Sequence, residues 1–370
     1  MRDGLVRLFL CGDVMLGRGV DQILPHPGDP ALHEPGICDA RTYVALAEAA
    51  NGPIPRPVAF PWPWGDALGV LEEAAPDVRV VNLETSITSS GELAPGKLVH
   101  YRMHPANLPC LAAAQPDVCV LANNHVLDFG RQGLQETLDA LAAARLRAAG
   151  AGQNLLQAQR PAPVTVAGDT RAVVVAFGTP SSGIPPSWAA TRDRAGVDLV
   201  PELSANAAAK VADRVRQATR PSDLVVASTH WGSNWGYEVA AEQVCLAHGL
   251  IDGGVDVVYG HSSHHPRPVE VYRGKLILYG CGDFINDYEG ITSHTAYRHD
   301  LRLGYFAAVQ AGSGELADLW MAALQARRLR LQRASRADTA WLRGVLDRES
   351  RRFGTRVELR PDGMLALRWP

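Results

Sequence analysis

The chain has 370 residues, 46% of them hydrophobic, and a formal net charge of −3. This length is enough for one large domain or two modest ones, each with a buried core. The near-neutral charge lacks the basic field that nucleic-acid partners usually need, and no run approaches the roughly 20 apolar residues of a membrane span. We therefore expect neither a nucleic-acid partner nor a membrane span.

The N-terminal apolar run is too short for a secretion signal, which predicts a chain that stays in the cytoplasm. The six cysteines are scattered without CxxC spacing, and several lie inside apolar runs, where a free thiol behaves as a small hydrophobic group. We expect a reduced, cytoplasmic protein.

Short apolar runs alternate with amphipathic segments along the chain. The runs that predict buried strands are 5–10, 78–81, 118–121, 172–177, 224–227, 255–259 and 276–279. The segments with apolar residues at helical spacing are 133–147, 205–219 and 239–251. This alternation predicts a layered α/β or α+β fold.

Two stretches interrupt the alternation, and the tail departs from it. Residues 23–64 and 178–194 are rich in proline and glycine and are expected to be long excursions, the first as a lid or substrate loop. After about residue 311 we expect the strands to stop and a basic helix to follow. The predicted organisation is a catalytic domain, 1–310, with an insertion at about 23–64, and a C-terminal helical extension, 311–370, packed on it.

Six of the seven apolar runs end in side chains whose oxygen or nitrogen atoms can bind a metal ion. These residues are Asp13, Asn82, Glu84, Asn123, Asn124, His125, His230, His261, Asp283 and Asp287. Taken singly, Asp13 suits a turn, Asn123 a helix cap and His230 a buried core position. Because the carboxyl ends of strands converge at one edge of a sheet, the set together predicts a metal site. Carboxylate, amide and imidazole donors without thiolate favour Mn, Zn, Fe or a similar divalent ion.

The ordered motifs "GDVMLGR", "NLE", "LANNHVLDFGRQG", "STHWG", "GHSSHHP" and "YGCGDFI" resemble those of the CapA family. These poly-γ-glutamate capsule biosynthesis proteins belong to the metallophosphoesterase, or calcineurin-like, superfamily, and the resemblance covers about residues 5–310. It implies a four-layer αββα sandwich of the metallo-dependent phosphatase type, with a metal centre at the strand ends. The metal ligands that it implies are Asp13, Glu84, Asn124, His230, His261 and His264.

The chain departs from the family pattern at two motifs. Met15 stands where the superfamily has a histidine ligand, and a thioether is a poor ligand for a hard or borderline cation. Ser262 and Ser263 replace an inner His-Pro pair, and His265 follows as an extra histidine. A single tightly held ion is therefore the safer expectation, although the number of ions, one or two, stays open.

Similarity to CapA-like enzymes that epimerise the C-terminal residue of lasso-peptide precursors implies a metal-dependent peptide epimerase. The metal would polarise a carbonyl while one group removes the Cα proton and another returns it. The candidate proton carriers are Asp13, His125, His265 and His294, with His299 nearby. The candidate substrate-binding residues are Arg18 and Arg102 for a carboxylate, Asp283, and, for an aromatic peptide end, Trp62 and Trp64 of the Pro-rich stretch together with Trp231 and Trp235.

Two alternatives to the epimerase remain open. The first is a metal-dependent phosphoesterase or amide hydrolase of the CapA family, and the second is a capsule or polyglutamate assembly protein. The expected partner of an epimerase is a precursor peptide. The oligomeric state stays open.

Overall fold

The apolar runs and amphipathic segments fold as strands and helices in the order that the sequence predicts. A computed structural model describes residues 4–370. In chain order the strands are β1 (Leu5–Val14), β2 (Ala31–Glu34), β3 (Ile37–Asp39), β4 (Val78–Leu83), β5 (Ser86–Ile87), β6 (Arg102–Met103), β7 (Val118–Val120), β8 (Arg147–Ala149), β9 (Ala151–Gly152), β10 (Ala162–Ala167), β11 (Thr170–Gly178), β12 (Gly196–Val197), β13 (Leu224–His230), β14 (Val257–His261), β15 (Val269–Tyr272), β16 (Lys275–Leu278), β17 (Asp283–Ile285), β18 (Leu301–Gln310), β19 (Leu316–Ala326), β20 (Leu331–Arg333), β21 (Arg356–Leu359) and β22 (Leu365–Arg368). The α-helices are α1 (Arg18–Ile23), α2 (Arg41–Asn51), α3 (Asp66–Ala74), α4 (Leu108–Ala112), α5 (Gly130–Ala143), α6 (Leu155–Ala158), α7 (Ala205–Ala218), α8 (Ala241–Asp252) and α9 (Arg336–Ser350).

Two mixed sheets carry most of the strands. The first has the order β21-β22-β19-β18-β1-β4-β7-β8, with β17 beside the end of β1 and β20 beside β19. Its strands β1, β4, β7 and β8 are parallel, whereas β18, β19, β22 and β21 add to it in antiparallel fashion. The second sheet has the order β10-β11-β13-β14-β16-β15, with β11, β13, β14 and β16 parallel. The seven predicted strands are confirmed within these sheets.

Three apolar layers separate the sheets and helices. Val80 of the first sheet and Val226 of the second belong to one cluster between the sheets. Leu134 of α5 packs in the cluster on the outer face of the first sheet. Leu246 of α8 packs in the cluster on the outer face of the second. Each large side chain buried in this way stabilises the fold by about 1.5–3 kcal/mol. The predicted four-layer α/β/β/α sandwich is confirmed.

The strands do not stop after residue 311, so the expectation of a purely helical extension was wrong. β19 pairs with β18 along nearly its whole length, and β22 and β21 continue the sheet beyond it. Helix α9 falls inside the predicted basic helix and packs against β21, β15 and β19. The segment 316–326 is rich in leucine and alanine, which favour helices, but pairing with a neighbouring strand overrides that preference.

The Pro-rich stretch 23–64 contains secondary structure of its own. It forms the β2-β3 hairpin and α2, and Glu34 at the end of β2 makes an ion pair with Arg18 at the start of α1. The hairpin therefore lies against the segment that follows β1. Within residues 4–370, no helix is both long and apolar enough to cross a bilayer.

Candidate metal centre

Asp13 lies where the carboxyl ends of several strands meet. In the first sheet it is in register with Asn82 of β4 on one side and Asp283 of β17 on the other. In the second sheet, His230 at the end of β13 is in register with His261 at the end of β14. The two sheets thus bring carboxylates and imidazoles to one place, as expected for strand ends that converge.

Two groups of buried ligand-type atoms share Asp13. One consists of Asp13, His230 and His261, and the other of Asp13, Glu84 and Asp283, with the donor atoms of each group all within 4.8 Å of one another. All five residues are buried. The Asn82 amide donates a 2.7 Å hydrogen bond to Asp13 Oδ1, whereas Asp13 Oδ2 has no hydrogen-bond partner among residues 4–370.

The carboxylates of this cluster are electrostatically strained. Burial, and next the charge of Asp283, raise the pKa of Asp13 to about 7. Burial, and next the charges of Asp13 and Asp283, also raise the pKa of Glu84 well above its usual value. Buried carboxylates that repel one another are stabilised by a counter-charge, which a divalent cation bound by these residues would supply, and one oxygen of Asp13 has no other partner. The residues therefore fit a hard or borderline metal ion.

The two imidazoles of the cluster are in the form that binds metals. His230 Nδ1 lies 2.7 Å from His261 Nδ1, and His230 Nε2 lies 3.1 Å from Asn124 Oδ1. Burial lowers the pKa of His230, with the nearby His261 adding to the effect, and burial lowers the pKa of His261 to about 3. Both rings are therefore neutral at pH 7, as a metal ligand requires. Behind His261, Ser228 Oγ lies 2.7 Å from Nε2.

His264 contacts Asp283 and lies outside both ligand groups of the described residues. Its Nδ1 is 2.9 Å from Asp283 Oδ1, and Asn286 donates a 2.7 Å hydrogen bond to the other oxygen. Burial alone would raise the pKa of Asp283, but the charge and hydrogen bond of His264, and then Arg302, lower it below the usual value. Asp283, which we expected to bind substrate, is thus a member of the carboxylate cluster.

His125 lines the same cavity as Glu84 and is held by three residues that were absent from the predicted site. Its Nδ1 lies 2.6 Å from Asp128 Oδ2, the Tyr101 ring stacks on it at 3.7 Å, and Lys97 makes an ion pair with Asp128. Burial lowers the pKa of His125 to about 3, although the charge of Asp128 acts in the other direction. The HVLD spacing was a signal for Asp128, whereas Lys97 comes from a loop that has no periodic pattern.

The side chains of Arg18 and Trp231 are bound by other residues of the same chain. In place of the expected pairing with a substrate carboxylate, Arg18 makes ion pairs with Glu34 and Asp287 and is almost fully buried. In place of the expected aromatic contact, Trp231 is buried and its Nε1 donates a 2.9 Å hydrogen bond to Tyr279 O. Sequence patterns do not reveal such long-range partners.

The other predicted residues lie around the centre at different depths. His265 is buried, with Nδ1 3.0 Å from Pro266 O, and its ring stacks on Tyr297. His294 is exposed and stacks on Trp235 at a centroid distance of 4.2 Å. The Arg102 guanidinium lies 4.6 Å from the centroid of the Phe129 ring, in a cavity that Arg18 also lines.

Residues 7–288 match the family model described as "Bacterial capsule synthesis protein PGA_cap". The chain belongs to this family. The predicted resemblance to CapA is confirmed as well, because "PGA biosynthesis protein CapA" of Bacillus subtilis is 26% identical over 77% of the chain and 64% of its own length. "Capsule biosynthesis protein CapA" of Bacillus anthracis is 28% identical over 76% of the chain and 59% of its own length.

A more similar relative comes from Mycobacterium tuberculosis. Its "Probable polyglutamine synthesis accessory protein" is 56% identical over 98% of this chain and 96% of its own length. Among solved structures, a novel phosphatase from Mycoplasma pneumoniae covers 87% of this chain and 94% of its own, at 12% identity and a TM-score of 0.46.

Proposed function

We propose that this PGA_cap family member is a metal-dependent hydrolase that cleaves an amide bond in a glutamate- or glutamine-containing polymer during the synthesis of that polymer. The observation that carries the proposal is the cluster of Asp13, Glu84 and Asp283 beside two neutral imidazoles, with one buried Asp13 oxygen unpartnered. The polymer is suggested by the names of the relatives, which refer to polyglutamine synthesis and to capsule biosynthesis.

The residues that would hold the ion are Asp13, Glu84, Asp283, His230 and His261. When bound, a divalent ion would polarise the carbonyl under attack and activate water. Ser228 holds the ring of His261, and Asn82 holds one oxygen of Asp13, so that these two ligands are fixed by neighbours.

His125 is the residue we assign to proton transfer. Hydrolysis adds the hydroxyl of water to the acyl carbon and a proton to the departing nitrogen. His125 lines the same cleft of about 350 Å³ as Glu84 and Asn124. Asp128 binds its Nδ1, which leaves the unprotonated Nε2 to accept a proton from the attacking water and then give it to the leaving amine.

Epimerisation is the second candidate, and one observation favours it. His125 and His264 both line the cleft, and each ring has its Nδ1 bound to an aspartate, Asp128 and Asp283 respectively. Two such imidazoles are what removal and return of a Cα proton would require. The relatives described above are named for capsule and polyglutamine synthesis, which fits hydrolysis or assembly better than peptide epimerisation.

The test is incubation of the purified protein with glutamate and glutamine oligomers in heavy water, followed by mass spectrometry. The assay is run as purified, after chelation, and after adding back Mn, Zn, Fe, Co, Mg or Ca. We expect shorter products that depend on the metal, and no deuterium at Cα of uncleaved chains. Asp13→Asn should abolish cleavage and bound metal, whereas Glu358→Gln, an exposed residue far along the sheet, should leave both unchanged.

Three results would lead to different conclusions. Deuterium at Cα without cleavage would replace hydrolysis by epimerisation. Turnover of an aryl phosphate but of none of the oligomers would make the protein a phosphoesterase. Bound metal without any turnover would favour an assembly role, in which the metal stabilises the fold.

A further inference from the structure

Two more cavities adjoin the cleft at the metal centre, and each shares lining residues with the next. The central cavity, about 350 Å³, shares Asn234, His264 and Tyr288 with a second cavity of about 240 Å³. The second shares Ile291 and His299 with a third of about 340 Å³. Small-molecule sites usually have volumes of roughly 300–1,000 Å³, so a single amino acid would leave most of this path empty. We call the three cavities together the extended cleft.

The middle cavity offers a flat aromatic surface. The Trp235 ring is only partly buried and stacks on His294, with the ring planes 10° apart. Its loop is fixed to the metal centre, because His264 N donates a 3.0 Å hydrogen bond to Asn234 O. A chain that left the centre along this path would pass Trp235 and the His294 ring stacked on it, and such aromatic rings pack well against peptide planes and aliphatic stems.

The far cavity contains a buried arginine that lacks a carboxylate partner. Arg302 is almost fully buried, and its guanidinium donates to His299 O and, at 2.7 Å, to Asn286 Oδ1. Its Nε has no partner, and within residues 4–370 no carboxylate oxygen lies within 4.0 Å of the guanidinium nitrogens. The charge of Asp283 acts on this guanidinium from beyond salt-bridge range, so an anionic ligand that reached the unpartnered Nε would add a direct, charge-assisted contact.

A second arginine at the mouth of the far cavity is also unpaired. Arg327 is exposed, and its Nε donates to Asn51 Oδ1 at 2.9 Å, with no carboxylate in salt-bridge range in the described chain. The two acids in the lining already have partners of their own. Asp300 accepts from Arg298 and Gln325, and Glu289 accepts from Asn51 and two backbone N–H groups.

We propose that the extended cleft binds an extended substrate chain that carries carboxylates, with the reacting bond at the metal centre, a stem across Trp235 and a carboxylate beside Arg302 and Arg327. This inference rests on the proposed function and narrows it to an anionic chain of several residues. A neutral chain of the same length would fill the cavities but would leave the Arg302 guanidinium without a directly bound carboxylate. Recognition is therefore expected to depend on both length and charge.

The test measures binding rather than turnover. Calorimetric titrations of the wild-type chain, metal-loaded and chelator-treated in parallel, would use glutamate, tri-glutamate, hexa-glutamate and hexa-glutamine. We expect hexa-glutamate to bind at least about 10-fold more tightly than glutamate or hexa-glutamine, a gain of about 1.4 kcal/mol. Added salt should reduce that gain, because part of it is electrostatic.

Two variants locate the extra affinity. Arg327→Met and Trp235→Ala should each remove most of the gain for hexa-glutamate while leaving glutamate affinity unchanged. The matched control is Arg273→Met, an exposed arginine on the β15-β16 turn that pairs with Asp252. Arg302→Met should have the largest effect. If it fails to fold, Arg327→Met and Trp235→Ala still decide the matter.

Equal affinity for glutamate and hexa-glutamate, equal affinity for hexa-glutamate and hexa-glutamine, or no effect of Arg327→Met would overturn the proposal. These outcomes are separable from those of the hydrolysis assay. Length-dependent binding without cleavage would contradict only the hydrolase. Cleavage without a length or charge preference would contradict only the extended cleft.

Discussion

A single hydroxyl behind His261 sets the orientation of that ring. Ser228 Oγ lies 2.7 Å from His261 Nε2, while Nδ1 of the same ring faces His230 and Asp13. Residues that hold a metal ligand in this way usually contribute 10–100-fold to metal affinity. The centre therefore depends on a residue that would never contact the ion.

Ser228→Ala is expected to weaken metal binding by about 10–100-fold, because the ring of His261 loses its fixed orientation. The measurement is a competition titration with a fluorescent chelator. Thr229→Val is the matched control at the next position. Its buried Oγ1 has no partner among residues 4–370, so replacing the hydroxyl by a methyl group should cost nothing. Equal affinities for the two variants would show that Ser228 plays no part in the site.

The residues of the site differ in how far the sequence predicts them. Asp13, Glu84, His230 and His261 each follow an apolar run, so the edge-of-sheet rule alone brings them together. The partners of Arg18 do not follow from any local pattern, since Asp287 is separated from it by 269 positions. A buried ion pair depends on the tertiary structure, because the local sequence around a buried, paired arginine looks the same as that around an exposed one.

At the scale of elements, the close parallel pairing of β1 and β17 positions two of the carboxylates. A Cβ atom on Gly12 would lie 1.8 Å from Gly282 O, so only glycine allows the two backbones to approach this closely. A 2.9 Å hydrogen bond from Asp13 N to Gly282 O joins the two backbones at this point. The distance between Asp13 and Asp283 therefore depends on a residue that has no side chain.

Gly12→Ala should destabilise the protein by about 3 kcal/mol or more, because β1 and β17 must separate to admit the methyl group. Metal binding should weaken along with it. Urea unfolding followed by circular dichroism is the measurement. Gly69→Ala in α3 is the control, since nothing lies within 4 Å of the added methyl and alanine should gain about 0.5–1 kcal/mol. A Gly12→Ala protein of wild-type stability would contradict the claim that β1 and β17 approach too closely to admit a side chain at this position.

Asp300 links the loop between β17 and β18 to Gln325 of β19 by a hydrogen bond. The stability that Asp300 provides depends on pH. Burial acts to raise the pKa of Asp300, but hydrogen bonds from Arg298 and Gln325 outweigh it and lower the value to about 2. An unfolded aspartate titrates near 3.9. Because the folded pKa is depressed, the stabilisation is fully present above about pH 3.9 and is lost as the pH falls through about 2.

Asp300→Asn should therefore lower the urea midpoint at pH 7, and this difference should vanish as the pH falls through about 2. The side chain is 35% exposed, so solvent screening limits the loss to less than about 1 kcal/mol. Arg298→Met should show the same pH-dependent part, since it removes the main donor. A difference between wild type and Asp300→Asn that stayed constant from pH 2 to 7 would contradict this assignment.

The element that the sequence predicts least well is β19. Its segment, LADLWMAALQA, alternates only partly between buried and exposed positions, and its residues favour helices. What makes it a strand is the neighbouring β18, with which it pairs from Leu301 and Gln325 to Val309 and Leu316. Propensity is a weak guide wherever an open sheet edge is available. The runs of β1, β4, β13 and β14 are apolar on both faces and need no such context.

At the scale of the whole molecule, the C-terminal 60 residues are an integral part of the first sheet and not a separate appendage. β19 buries Leu319 and Met321 in the cluster between the two sheets, and α9 adds Leu342 and Leu346 to the same cluster. A chain that ends at residue 310 would lose these contacts and expose the whole edge of β18. Such an edge is a template for aggregation.

We expect a chain truncated after Gln310 to be insoluble or unfolded, because the lost side chains contribute about 1.5–3 kcal/mol each, against a total stability of about 5–15 kcal/mol. The comparison is a chain truncated after Arg368, which keeps β22 whole and should be as soluble and as stable as the full chain. Expression yield, gel filtration and thermal unfolding followed by circular dichroism are the measurements. If residues 1–310 gave a monomeric protein with the melting temperature of the full chain, the segment 311–370 would be a separate extension, and the shared core between the sheets would contribute far less than its burial indicates.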